Sequence, residues 1–262
     1  MAHVQKYQKV VSSLVNEIFL GKLKPETKLP TEKQLSAKMK VDRTSLRLGL
    51  KQLESMKVLS IRQGDGIYVR DYLKNAGLDF LGLLLQQEDA GRYMIEDIYL
   101  MDEIWEFWIM FFPMVVGMAI KRGSTRDLKS LAELIALQEK SLGDRKRMVE
   151  LGIAIQDRIA EVVNNTLVLL LFNSCRPMRK RIMEIQINSM DRRGLKDLID
   201  TEKSLLKVAI NGSEAGITQA LARLRGNYES YRRKMRESMG EPQTGNGDHA
   251  QRGSKGSKKY AA

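Results

Sequence analysis

The stretch VDRTSLRLGLKQLE, Val41 to Glu54, leaves few folds open to the chain around it. Asp42 can accept a backbone N–H at the start of a helix, and its negative charge suits that end of the helix dipole. On a helical wheel Arg43, Thr44, Arg47 and Lys51 share one arc, while Leu46, Leu50 and Leu53 occupy another. One face needs a core and the other needs water or a polyanion. A solvated surface helix would carry the same stripe, so the neighbouring segments decide between the two.

Upstream, residues 5–20 read as one helix with Val10, Leu14, Val15 and Ile18 on one side. After GKLKPETKLP, Thr31 and Gln34 stand at capping-box spacing and start a second helix through Met39, and KVD makes the turn into the third. Downstream, VLSIRQGDGIYVR gives the strand signal: Val58, Leu59 and Ile61 precede a Gly-Asp-Gly turn, and Ile67, Tyr68 and Val69 follow it. Helix, tight turn, helix is the layout in which the second helix lies in the major groove, with its first residues on base edges. Arginine suits that place because its planar fork bonds two acceptors of one guanine edge at once. Charge agrees, since residues 1–70 carry 14 basic and 6 acidic side chains, the larger part of a net +12. Together these features make DNA the expected partner and the hairpin a wing against its backbone.

The remainder is helical in period, so the expected fold class is mainly α: a winged helix-turn-helix with a small β hairpin, then an all-α bundle. Gly21, Gly123, Gly143, Gly194 and Gly212 each fall near the end of an apolar run, where a left-handed cap would fit. The run IWEFWIMFFPMVVGMAI, Ile104 to Ile120, is at the short edge of a membrane span. Glu106 and Pro113 inside it, Asp102 and Glu103 beside it and the lack of a second such run favour a core helix. No membrane partner is expected. The last residues, 240–262, have almost no apolar side chains and read as a disordered basic tail.

Two histidines, His3 and His249, lie in the expected mobile ends, which leaves no histidine for a folded metal site or a His-based triad. One cysteine, Cys175, excludes an internal disulfide and reads as inert packing in an apolar helix. No charged-then-apolar leader is read at the start, and the expected compartment is the cytoplasm. Asp97, Asp102, Glu103 and Glu106 offer carboxylates at helical spacing, but no nucleophile motif or phosphate-binding loop accompanies them. No catalytic residue, metal or cofactor is expected.

The run Gly21 to Val69 resembles the winged-helix domain of the GntR family of bacterial transcription regulators, through KLPTEKQLS, VDRTSLR and GDGIYV in order and spacing. The resemblance implies that Lys33 stands where the family has an operator-reading Arg. It also implies that Arg43, Thr44, Ser45 and Arg47 contact bases and phosphates, that Lys51 meets a phosphate, and that Gln63 and Gly64 form the wing tip. Lysine offers a point charge in place of a fork, so Lys33 would read its base less strictly.

Residues 77–239 resemble the FadR-like all-helical effector and dimerisation domain, joined by a linker over 71–76 to a DNA-binding domain of residues 1–70. Many such relatives hold a divalent metal with one Asp and three His. The corresponding places here are Gly152, Gln156, Glu202 or Lys203, and Asn227, which lack those donors. Where relatives carry a carboxylate-binding Arg, this chain has Asp102 and Glu103. The metal-free branch implies a homodimer on a short palindromic operator, switched by a small-molecule effector for which a fatty acyl-CoA is the candidate. Trp105, Trp108, Met110 and Phe111, with Tyr228, would line an apolar pocket, and Arg176, Arg179, Lys180 and Arg181 would meet a phosphate. The competing readings are a regulator with no effector and an enzyme with an attached DNA-binding domain.

Overall fold

The computed structural model describes residues 2–86 and 98–239, and these fall into two compact units that divide between the two ranges. The expected tail, 240–262, and Asp97 lie outside the described residues.

The first unit runs α1 (Ala2–Phe19), α2 (Glu32–Met39), α3 (Arg43–Ser55), β1 (Leu59–Arg62), β2 (Gly66–Val69), α4 (Tyr72–Asn75) and α5 (Leu78–Gln86). Its local signals act as the sequence predicts. Gln34 donates its backbone N–H to the Thr31 hydroxyl at 3.4 Å and accepts the Thr31 N–H at 2.9 Å, which closes the capping box of α2. Asp42 accepts the Ser45 N–H at 2.9 Å and starts α3. The apolar side of α3 packs on α1: Leu46, Leu50 and Leu53 are buried, as are Val10, Leu14, Val15 and Ile18. At the crossing Gly49 lets the helices approach so closely that a Cβ there would lie 2.9 Å from Val10 Cγ1.

β1 and β2 pair antiparallel, with Leu59 opposite Val69 and Arg62 opposite Gly66, so the turn is Gln63-Gly64-Asp65. Gly64 takes a φ of +78°, the left-handed backbone that glycine adopts without cost. The preceding loop is more ordered than its composition suggests. Leu29 donates to the Ile67 carbonyl and Val69 to the Thr27 carbonyl, so residues 27–29 lie along β2. The expected linker contains the single-turn helix α4, capped by Asp71, and α4 and α5 group with the first unit.

The second unit is a bundle of α6 (Ile98–Arg122), α7 (Thr125–Lys140), α8 (Arg145–Val163), α9 (Thr166–Ser174), α10 (Arg176–Ser189), α11 (Arg192–Asn211) and α12 (Glu214–Met239). α8 is central, packing on α6, α7, α9 and α10, while α12 covers α6 and α11. Part of the core joins Leu131 and Ile135 to Met148, Ile153, Ile187 and Ile199. α6 contains the long apolar run, and half of its most apolar stretch, Met101–Arg122, is buried in the bundle. By length and composition it is the one helix among the described residues that could cross a membrane. Trp105, Trp108 and Phe112 share the buried side with Met101, Ile104, Ile109, Val115, Val116 and Ala119, and Trp108 stacks on Phe112 at 4.7 Å and tilts against Phe172 of α9 at 6.1 Å.

Glycine punctuation works differently from expectation. Of the five glycines, only Gly21 has left-handed backbone (φ +70°), whereas the left-handed caps of α2 and α8 are Lys40 and Asn164. Gly194 sits in the first turn of α11, where its N–H meets the Asp191 carboxylate at 2.8 Å. That glycine begins a helix and does not end one.

The α1–α3 crossing gives a paired prediction. Gly49→Ala forces a methyl into Val10 and costs about 1–3 kcal/mol, whereas Gly226→Ala, exposed in α12 with open space about it, adds up to about 1 kcal/mol. Urea unfolding of the two variants measures both signs.

Candidate nucleic-acid interface and ligand cavity

Helix α3 presents its polar arc outward. Arg43, Thr44, Arg47 and Lys51 are all exposed, as is Lys33 near the start of α2. Arg47 donates through Nε to Glu32 at 2.9 Å, which ties the third helix to the first turn of the second. This pair is exposed and therefore weak, so it can hold the guanidinium in place without withholding it from a stronger acceptor. Ser45 departs from the expected role. It is fully buried, its hydroxyl donates to Asp42 at 3.0 Å, and it shapes the start of the helix instead of facing outward.

Gln63 and Gly64 stand exposed at the hairpin tip, as expected of a wing. The residues that hold the tip were not foreseen. Asp65 accepts from Lys28 Nζ and from the Tyr68 hydroxyl, both at 2.9 Å, and the Arg62 guanidinium lies 4.4 Å over the Tyr68 ring. Hydrogen bonds from Lys28 and then Tyr68 hold the Asp65 carboxyl below its ordinary range. Lys28 lies in a segment that reads as loop, and no periodicity announces its bridge to Tyr68.

In the second unit the expected phosphate cluster is dispersed. Arg179 is buried and fully engaged: it donates to Gln156 at 3.0 Å, to Asp157 at 2.6 Å and to the Phe172 carbonyl at 3.1 Å, with the Phe172 ring 4.7 Å beneath it. Burial lowers the pKa of this guanidinium, and the Asp157 partnership opposes that effect. Arg176 pairs with Asp157, and Lys180 and Arg181 pair with Glu184. Asp102 is likewise committed. Arg232 binds it through two 2.7 Å hydrogen bonds, Arg236 binds it as well, and Arg232 also reaches Glu106 at 2.8 Å, so the cluster fastens α12 to α6. Burial alone would raise the Asp102 pKa, but the two arginines outweigh it and hold the carboxyl at about 2. An acid so strong is ionised at neutral pH and does not trade protons there.

Helices α6, α8, α10, α11 and α12 enclose a cavity of about 50 Å³. Of the expected pocket residues it brings in only Tyr228. Trp105 and Trp108 are buried in the aromatic packing, with Trp105 6.1 Å from the Tyr228 ring, and Met110 is exposed on the outer face of α6. Burial raises the Tyr228 phenol pKa, so the hydroxyl stays protonated. Gln156, Gln186, Thr201, Glu202 and Asn227 supply the polar lining. Asn227 donates to the Thr201 hydroxyl at 3.1 Å, whereas Glu202 Oε2 is buried without a hydrogen-bond partner and Gln186 Nε2 has only a loose contact with the Tyr231 phenol. Burial pushes the Glu202 carboxyl up to about 8. Its sequence signal was a carboxylate inside the apolar stripe of Leu195, Leu198, Ile199, Leu205 and Leu206.

Gly152, Gln156, Glu202 and Asn227, the places where relatives hold a metal, do meet at this cavity. They do not fit one. They offer one carboxylate and two amides, and a Cβ at Gly152 would lie 2.9 Å from the Met183 thioether, which fills that place. Among the described residues no group of three His, Cys, Asp or Glu could hold a metal ion.

Residues 6–69 match the family described as bacterial regulatory proteins, gntR family, and residues 103–244 match the FCD domain. A winged helix with an exposed basic recognition face, followed by an α-helical domain, defines a DNA-binding transcription regulator. The chain belongs to the GntR family, in its FadR-like group with an FCD domain. It is 29% identical over 162 residues to the HTH-type transcriptional regulator Mce2R of Mycobacterium tuberculosis, covering 58% of this chain and 65% of that protein, just under two thirds of its length. It is 25% identical over 198 residues to the fatty acid metabolism regulator protein of Shewanella pealeana, covering 76% and 78%. The solved structure of Lar, which controls the Listeria monocytogenes agr system, shares the fold with a TM-score of 0.52 at 14% identity, over 88% of this chain and 96% of that one.

The buried carboxyl has a consequence for stability. Between about 4.5 and about 8 the folded protein retains a proton on Glu202 that the unfolded chain has released. Stability therefore falls as pH rises through that window. Glu202→Gln removes this loss: its thermal midpoint exceeds that of the wild type at pH 8, and the difference shrinks toward pH 5.

Proposed function

We propose that the protein is a homodimeric, sequence-specific repressor, in which two copies of α3 enter successive major grooves of a short palindromic operator and the hairpin tips touch the flanking backbone. The observation that carries this reading is the division of α3, with Leu46, Leu50 and Leu53 buried and Arg43, Thr44 and Arg47 exposed. In this reading Arg43 and Arg47 at the start of the helix contact base edges, Lys33 reads a base less strictly than an arginine would, and Lys51, Gln63 and Gly64 meet the backbone beside them. A two-fold operator follows from a two-fold protein. Phe107, Met110 and Met114 on α6 and Leu167 and Leu170 on α9 support a dimer, because these large apolar side chains stand exposed on one copy. A dimer seated over a promoter excludes polymerase, hence repression, and the site of action is the cytoplasm.

Residues 1–70 serve as the DNA-binding domain, 71–76 as the linker and 77–239 as the effector and dimerisation domain. A small molecule in the second unit changes the spacing of the two recognition helices by favouring one of their arrangements. The acyl-CoA reading draws support from the similarity to the fatty acid metabolism regulators. The cavity supports a smaller ligand, since 50 Å³ and a lining with no Lys or Arg accommodate neither an acyl chain nor a phosphate. The engaged Asp102 and Glu106 support a role without catalysis.

Arg47→Ala is expected to weaken specific operator binding by about 1–3 kcal/mol and relax one base preference. Lys51→Ala weakens all sequences alike and lowers the slope of affinity against salt by about one. Fluorescence anisotropy with operator and scrambled duplexes over a range of salt concentrations separates the two effects. Wild-type behaviour in both variants would mean that α3 does not read the operator.

A further inference from the structure

The cavity of the second unit is lined by one carboxylate, Glu202, and by no lysine, arginine or histidine. Glu202 Oε2 has no hydrogen-bond partner, and Gln186 Nε2 on the facing helix has only a loose contact with the Tyr231 phenol. The nearby buried cation does not supply the missing charge, because Arg179 spends its donors on Gln156, Asp157 and the Phe172 carbonyl. A buried acceptor left open, with a buried donor in only loose contact beside it, asks for a partner that brings a donor to the first and an acceptor to the second. Phe112, Val116, Leu198 and Leu224 give the same space an apolar wall. At about 10–15 Å³ per water-sized probe, a cavity of 50 Å³ takes roughly three to five non-hydrogen atoms.

We propose that this cavity binds a small ligand bearing a primary ammonium group, paired with Glu202, its short carbon chain against the apolar wall and an adjacent oxygen accepting from Gln186. The inference rests on reading the second unit as the effector-binding domain. It reverses the polarity of an anion site: a carboxylate or phosphate would face Glu202 with no cation to offset it. Burial of Glu202 supports the assignment, since an isolated carboxylate is disfavoured there until a positive charge arrives. A divalent cation is the poorer match, with one carboxylate and a set of amides to hold it.

The test uses the full chain, thermal unfolding and calorimetric titration at pH 7.5, with ethanolamine and ethylammonium as probes. Acetate, ethanol, Zn²⁺, Mg²⁺ and matched NaCl are the controls, and Glu202→Gln is measured beside the wild type. The expected result is a saturable rise in the unfolding midpoint of about 3 °C or more at ten times the dissociation constant, confined to the amines and lost in Glu202→Gln. That variant removes a buried carboxyl, so it folds and gives a readable baseline. No shift with either amine, an equal shift in the variant, or a shift produced by acetate or by the metal ions overturns the proposal. Operator binding by the same wild-type preparation, with no ligand added, is measured alongside. If operator is bound and amines are not, the ligand assignment fails while the regulator reading stands; amine binding without operator binding leaves the cavity assignment and sinks the regulator.

Discussion

The packing of α3 on α1 is the constraint on which the DNA-facing surface depends. Leu46, Leu50 and Leu53 are buried at this crossing, and each contributes about 1.5–3 kcal/mol when fully removed from water. Gly49 permits the approach by leaving room for Val10. With that face fixed, the helix has no rotational freedom, and Arg43, Thr44 and Arg47 point outward as a consequence of where the leucines go. The caps at Thr31 and Asp42 set where α2 and α3 begin and therefore which residues come first on the exposed arc.

The second unit handles charge in a different way. Several of its buried or half-buried ions are held by partners of opposite sign, Asp102 by two arginines and Arg179 by Asp157. These pairs join helices, α6 to α12 and α8 to α10, and breaking one partner of such a pair strands the other. Glu202 differs, a carboxyl in a cavity with no cation. Burial keeps that carboxyl protonated near neutral pH, and on the ligand proposal an arriving ammonium group is what would let it ionise.

Much of the first unit was legible because its signals are local. A capping box at Thr31 and Gln34, an acidic cap at Asp42 and a helical leucine stripe depend on neighbours within a few residues. Ser45 was misplaced because its outward role came from the resemblance by position; the wheel leaves it outside the arc of Arg43, Thr44, Arg47 and Lys51, and its hydroxyl turns inward to Asp42. Lys28 escaped notice because its meaning comes from Asp65, 37 residues away. The second unit was less legible for the same reason: Arg179 looked like one of four surface cations until Gln156, Asp157 and Phe172 closed around it. Similarly, Trp105 and Trp108 carried the signature of a pocket and proved to be the packing behind one. Gly21 takes the left-handed backbone expected of it, whereas Gly212 ends α11 in extended backbone and Gly194 begins that helix, because an apolar run near a glycine does not itself fix the backbone there.

The central claim is that a fixed α3, presented twice, reads a two-fold sequence. The most direct measurement is selection of duplexes bound by the wild-type protein from a random-sequence pool at physiological salt, followed by sequencing. The account predicts enrichment of one inverted repeat whose half-sites lie about one helical turn apart. A bound pool with no enriched sequence, retained only at low salt, would contradict it.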